Sequence, residues 1–148
     1  MILLTTEQIR EIAEQLDCGF SCFINKHNRE RIFLYGDEDN FFEPEDDAWA
    51  GERKKIDKNP GDYLEIEKME SPDSFSVMED FADTVDSVKL RKDLIYVLNQ
   101  KKPFSKFKYV IDNSGEYRDK WFAFKAERMQ EWVKEQVDMF NLGTNSAY

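Results

Sequence analysis

Between Phe104 and Trp132 the chain places Phe104, Phe107, Tyr109, Tyr117, Trp121, Phe122, Phe124 and Trp132. Each such ring can hide on the order of 150–250 Å² of surface. A stretch this dense in rings has to build a core, and its spacing says how. Pro103 suits the first turn of a helix, where its missing N–H costs nothing. Phe104, Phe107 and Ile111 then recur at helical spacing, with Lys106 and Tyr109 turned away. Asn113-Ser114-Gly115 breaks that helix. A longer one is predicted from about Glu116 to about Phe140, with Tyr117, Trp121, Phe124, Met129, Trp132, Val133 and Phe140 on its apolar arc.

At about 100° per residue, Arg118, Lys125 and Arg128 fall inside this aromatic arc. A guanidinium among rings gains cation–π energy, but if it is dry it needs a carboxylate or an external anion. An internal pair, with Glu79 as the partner of Arg128, or long stems that cover the rings while the charged heads reach water, is the first expectation. An anionic ligand is the alternative.

The remaining chain reads in order. Thr5 and Gln8 fit a capping box, followed by the stripe Ile9, Ile12, Ala13 and Leu16, which Gly19 stops. Phe20, Cys22 and Ile24 alternate with Ser21, Phe23 and Asn25 as a strand. His27-Asn28 marks a turn, and Arg31 to Tyr35 returns as the second strand. Pro44 opens a short helix through Trp49 and Ile56, Asn59-Pro60-Gly61 turns, and Tyr63 to Ile66 is a third strand. Beyond Ser71-Pro72-Asp73 the chain is helical. Phe75, Met78, Ala82 and Val85 share one face, with Glu79 at its edge and Asp80 outward. Ser87 caps the next helix, whose stripe is Leu90, Leu94, Val97 and Leu98, with Lys89, Lys92 and Tyr96 facing away.

The expected fold is therefore α+β: an N-terminal helix and a small antiparallel three-stranded sheet, followed by a four-helix C-terminal half. One domain is expected over residues 1–142, its sheet part at 1–70 and its helical part at 71–142, with a flexible tail at 143–148. Phe75, Phe81, Leu94, Phe104, Phe107, Trp121 and Phe124 form the expected shared core.

Charge is segregated. Residues 36–80 carry 5 basic and 16 acidic side chains, net −11, whereas the whole chain is at −10. Between Lys89 and Lys108 seven cations face Asp93 alone, a local +6. The overall acidity disfavours general nucleic-acid binding, but a local basic strip survives that argument. The candidate contact residues are thus Lys89, Lys92, Lys101, Lys102 and Lys106, with Arg118, Lys125 and Arg128. The expected partner is a protein or an anionic ligand, with nucleic acid disfavoured and no membrane partner.

Catalytic and metal chemistry find no foothold. Cys18, Cys22 and His27 are too few for a structural zinc site, which wants four ligands. Asp37-Glu38-Asp39-Asn40 begins like a calcium loop, but Phe41, Phe42 and Ala48 occupy the positions of an oxygen ligand, the glycine and the closing Glu. The glycines are scattered, not grouped for phosphate. No cofactor is expected. No run approaches the roughly 18 apolar residues of a membrane span, and Met1 to Thr5 does not read as a signal peptide. The expected location is the cytoplasm. Three functional readings follow: a non-enzymatic binding or adaptor domain, a small enzyme with an unidentified site, and a regulator that touches nucleic acid through the basic strip.

From Phe75 to about Val137 the pieces Val77-Met78-Glu79-Asp80-Phe81, Leu90-Arg91 with Leu94, Pro103-Phe104-Ser105-Lys106-Phe107-Lys108, Trp121-Phe122-Ala123-Phe124-Lys125 and Glu127-Arg128 resemble uncharacterised protein family 0158 of the UPF series. The family often shows two basic residues between the two phenylalanines, where this chain has Ser105 and Lys106. The resemblance implies a small bacterial, cytoplasmic domain and brings no activity with it.

Overall fold

The structure, a computed structural model, describes residues 1–35 and 50–145. The acidic run Asp37-Glu38-Asp39-Asn40 and the Pro44 start of the short helix lie outside the described residues. The chain forms two compact units, one of Met1–Lys68 with Met129–Tyr148, the other of Met69–Arg128.

In the first unit α1 (Thr6–Asp17) starts on the expected capping box: Thr5 Oγ1 accepts from the Gln8 N–H, and Gln8 Oε1 accepts from the Thr5 N–H. It ends at Gly19, whose φ of 97° suits a residue without Cβ. Strands β1 (Phe20–Asn25) and β2 (Arg31–Tyr35) pair antiparallel, with Cys22 opposite Phe33. Helix α2 (Ala50–Lys58) and a 3-10 turn at Pro60–Asp62 lead to β3 (Tyr63–Ile66), antiparallel to β1 with Cys22 opposite Ile66. The sheet order is β2-β1-β3. As the central strand, β1 buries Cys22 and Ile24 completely, the alternation expected of a strand with one covered face.

The second unit is helical: α3 (Ser71–Thr84), α4 (Val88–Leu98), α5 (Pro103–Asp112) and the first part of α6 (Tyr117–Asn145). The starts of α3, α4 and α5 are chemically marked. The Glu70 side chain and the Asp73 backbone and side chain close a capping box, Ser87 Oγ accepts from the Leu90 N–H, and Pro103 is the first residue of α5. The core joins Val77, Met78, Phe81, Ala82, Val85, Leu94, Leu98, Phe107, Ile111 and Trp121. Trp121 sits edge-on to Phe81 and to Phe107, with ring centroids 5.3 Å and 5.0 Å apart.

Three expectations need correction. Phe104 is not a core residue; it remains 41% exposed. The inward arc of α5 runs from Phe107 to Ile111, and Phe104, about 20° beyond Ile111 and in the first turn of the helix, falls at its edge. Helix α6 does not stop near Phe140 but continues through Asn145, because Asn141 is held against the N-terminal segment. The buried face of α3 is also wider than its expected stripe, since Val77 joins Met78, Phe81 and Ala82. Among the described residues no helix is long and apolar enough to cross a membrane.

Candidate binding surface

The eight candidate cations all lie in the second unit, and the fold sorts them into two kinds. Leu94 and Leu98 turn inward on α4, so the opposite arc carries Lys89, Lys92 and Tyr96 to solvent. Lys101 and Lys102 occupy the link between α4 and α5, and Lys106 is exposed on α5. Helices α4 and α5 pack on each other. Lys89, Lys92, Lys101, Lys102 and Lys106 are all exposed, and none makes an ion pair with a described residue.

Arg118 and Arg128 have internal partners. Arg118 donates from Nε to Asp112 Oδ1 at 3.2 Å and lies over the Phe122 ring. Arg128 donates from Nη1 to Asp80 Oδ2 at 2.7 Å and lies over Phe124. The expected partner, Glu79, is corrected to Asp80. Phe124 packs on Phe81 with centroids 5.4 Å apart, so a guanidinium lying over Phe124 arrives beside the neighbour of Phe81. Nor is the pair buried: 31% of the Arg128 side chain and 50% of the Asp80 side chain stay exposed. Lys125 is half-buried on the same helix.

Lys102 has an unusual backbone. Its φ of 53° and ψ of 55° are left-handed, a region rarely used by residues with a Cβ. The following proline already disfavours the right-handed helical region at this position. In this conformation the Lys102 carbonyl accepts from the Lys106 N–H and from Ser105 Oγ, which closes the first turn of α5.

Exposed apolar residues accompany the cations. Val88 is 54% exposed, Ile95 43% and Tyr96 66%, all on α4, and Tyr109 stands outward on α5. The sequence reading identified the two tyrosines but missed Val88 and Ile95. Their signal was present: two turns apart, both fall on the flank of α4 away from the Leu94–Leu98 stripe.

The sequence-level metal candidates do not converge. Cys18 is exposed and Cys22 buried, and both are free. Burial pushes the Cys22 thiol up to about 12, against the opposing charge of Arg31. His27 instead meets Asp62 at 3.1 Å. Among the described residues no group of three or more His, Cys, Asp or Glu side chains is placed to hold a metal ion.

A model of the uncharacterised protein family UPF0158 matches residues 1–144. Among curated proteins, UPF0158 protein PA5073 of Pseudomonas aeruginosa is 25% identical over 83 residues, which is 56% of this chain and 54% of that protein. The match therefore spans about half the length of that relative. No solved structure matches the chain. The matched model covers both the sheet unit and the helical unit, and the chain belongs to the uncharacterised protein family UPF0158.

Proposed function

We propose that the chain is a non-enzymatic, cytoplasmic binding or adaptor domain of a bacterial family, and that it takes an anionic partner on the lysine strip of α4 and α5. One observation carries the reading. In a chain with 31 acidic and 21 basic side chains, Lys89, Lys92, Lys101, Lys102 and Lys106 are exposed and make no ion pair with a described residue. Two arginines of the same unit, Arg118 and Arg128, do find carboxylates. An acidic molecule repels anions at long range, so the strip acts within roughly a Debye length, about 8 Å at physiological salt. That favours a short, close contact over capture of a long polyanion.

The test uses the full chain with three anionic probes: poly-glutamate, inorganic polyphosphate and an RNA oligonucleotide. At least one should bind at low salt, weaken as salt rises, and be lost in the K101E/K102E/K106E variant, which should melt as the parent does. The reading fails if no probe binds, or if the folded variant binds as well as the parent.

A further inference from the structure

Resting on that reading, we infer that the partner is an acidic, amphipathic helical segment of a protein, seated along the outer face of α4. A phosphate backbone needs cations and nothing else. This face offers more than cations, since Val88 and Ile95 lie two turns apart with Lys92 between them, and Lys89 and Tyr96 complete the same outer arc. Isolated apolar side chains on a surface are ordinary. Val88 and Ile95 are instead in register on one helix, at the spacing by which an amphipathic helix presents its anchors. Leucine or phenylalanine anchors would cover them, and glutamates on the flanks would reach Lys89 and Lys92.

The type of cation points the same way. Six of the seven between Lys89 and Lys108 are lysines, and Arg91 is half-buried. Bidentate recognition of phosphate favours the arginine fork, whereas a lysine ammonium serves as a mobile point charge on a long stem. The stem also lies along apolar surface, so Lys92 can cover an anchor and pair with a carboxylate at once. Finally, the net charge of −10 opposes a long nucleic acid more than it opposes a segment of a few charges that touches only α4.

The experiment displays two libraries of helical peptides about four turns long to the full chain. One places Leu, Ile or Phe at i, i+3, i+4 and i+7 with Glu or Asp elsewhere. The other has equal charge with serine at those four positions. An RNA oligonucleotide is titrated in parallel. The first library alone should enrich. Its selected peptides should lose at least about tenfold in affinity to V88S/I95S, and similarly to K89E/K92E. Both substituted pairs lie on the exposed arc, and unchanged melting of each variant is checked first. Equal enrichment of the two libraries, or indifference to V88S/I95S, overturns the inference while leaving an anion-binding strip intact. So does RNA that binds more tightly than any selected peptide. Failure of every anionic probe removes both the inference and the reading beneath it.

Discussion

Asn141 and Ile2 exchange two hydrogen bonds across 139 positions: the Ile2 N–H donates to Asn141 Oδ1 and Asn141 Nδ2 donates to the Ile2 carbonyl, each at 2.8 Å. The side-chain amide here does what a neighbouring strand would do. Gln136 repeats the device five residues earlier. Its Oε1 accepts from the Glu67 N–H and its Nε2 donates to the Glu67 carbonyl, both at 2.9 Å, while Trp132 Nε1 donates to the same carbonyl. The two amides hold the N-terminal segment and the exit of β3 to one helix. Ile2 is 1% exposed, so its backbone has little access to water. Replacing Asn141 with Ala should cost about 1–3 kcal/mol, more than Gln136→Ala at the exposed Glu67. Urea melts of the two variants measure this, and a loss for Asn141→Ala no larger than that for Gln136→Ala would contradict it.

Trp121 and Phe107 form the centre of the second unit. Truncating either to Ala should cost on the order of 3–5 kcal/mol. Phe104, on the rim of the same helix, should cost about 1 kcal/mol or less. Chemical denaturation of the three variants orders them, and equal losses for Phe104 and Phe107 would refute the assignment of the α5 face.

The Arg128–Asp80 pair is half open to solvent, so its contribution is that of a surface ion pair, about 1 kcal/mol or less. A double-mutant cycle with R128M and D80N should return a coupling of that size, and salt should reduce it. A coupling near about 3 kcal/mol would mean that the pair is dry in solution. The same cycle with Glu79→Gln in place of Asp80 should return nothing.

Tyr117 donates its hydroxyl to Asp86 Oδ1. That bond is the main reason the Asp86 carboxyl lies below its ordinary range and the Tyr117 phenol above its own. The lowered carboxyl contributes stability above its unfolded value, and loses it as pH falls through the folded one. The raised phenol contributes below its unfolded value, and loses it as pH rises through the folded one. Both contributions are therefore present between about pH 4 and about pH 10. In Tyr117→Phe the Asp86 titration followed by carbon NMR should move up toward an ordinary aspartate. An unmoved midpoint would show that the bond is absent in solution.

Relief of the left-handed backbone separates folding from binding at one position. Lys102→Gly should raise stability by about 1 kcal/mol, because glycine takes a positive φ without the Cβ clash. The same change removes one cation from the strip and should flatten the salt dependence of any bound anion. Lowered stability in a thermal melt would mean that Lys102 has another backbone conformation in solution.

The chain by itself determined its local structure, because each signal sits within a few residues of what it governs. Thr5 reaches only to Gln8, Ser87 only to Leu90, and Pro103 fixes its own turn. The alternation through Cys22 and Ile24 marks a strand whichever strands flank it, and the lysines between residues 89 and 106 face out because Leu94, Leu98 and Phe107 face in. Only the tertiary structure decided what the ends of long side chains meet. Glu79 and Asp80 are adjacent, both acidic and both exposed, and periodicity had no means to choose Asp80 before Phe124 was seen on Phe81. Helical spacing also cannot say how wide a buried arc will be, which is why Phe104 passes for a core residue in the sequence and Val77 does not. The periodicity of the chain singles out neither Gln136 nor Asn141, and Asn141 lies just past the expected end of the helix. Their partners are the backbone groups of Glu67 and Ile2, 69 and 139 positions away. Every residue except proline carries the same N–H and C=O, so the sequence holds no mark of which ones a distant amide will find.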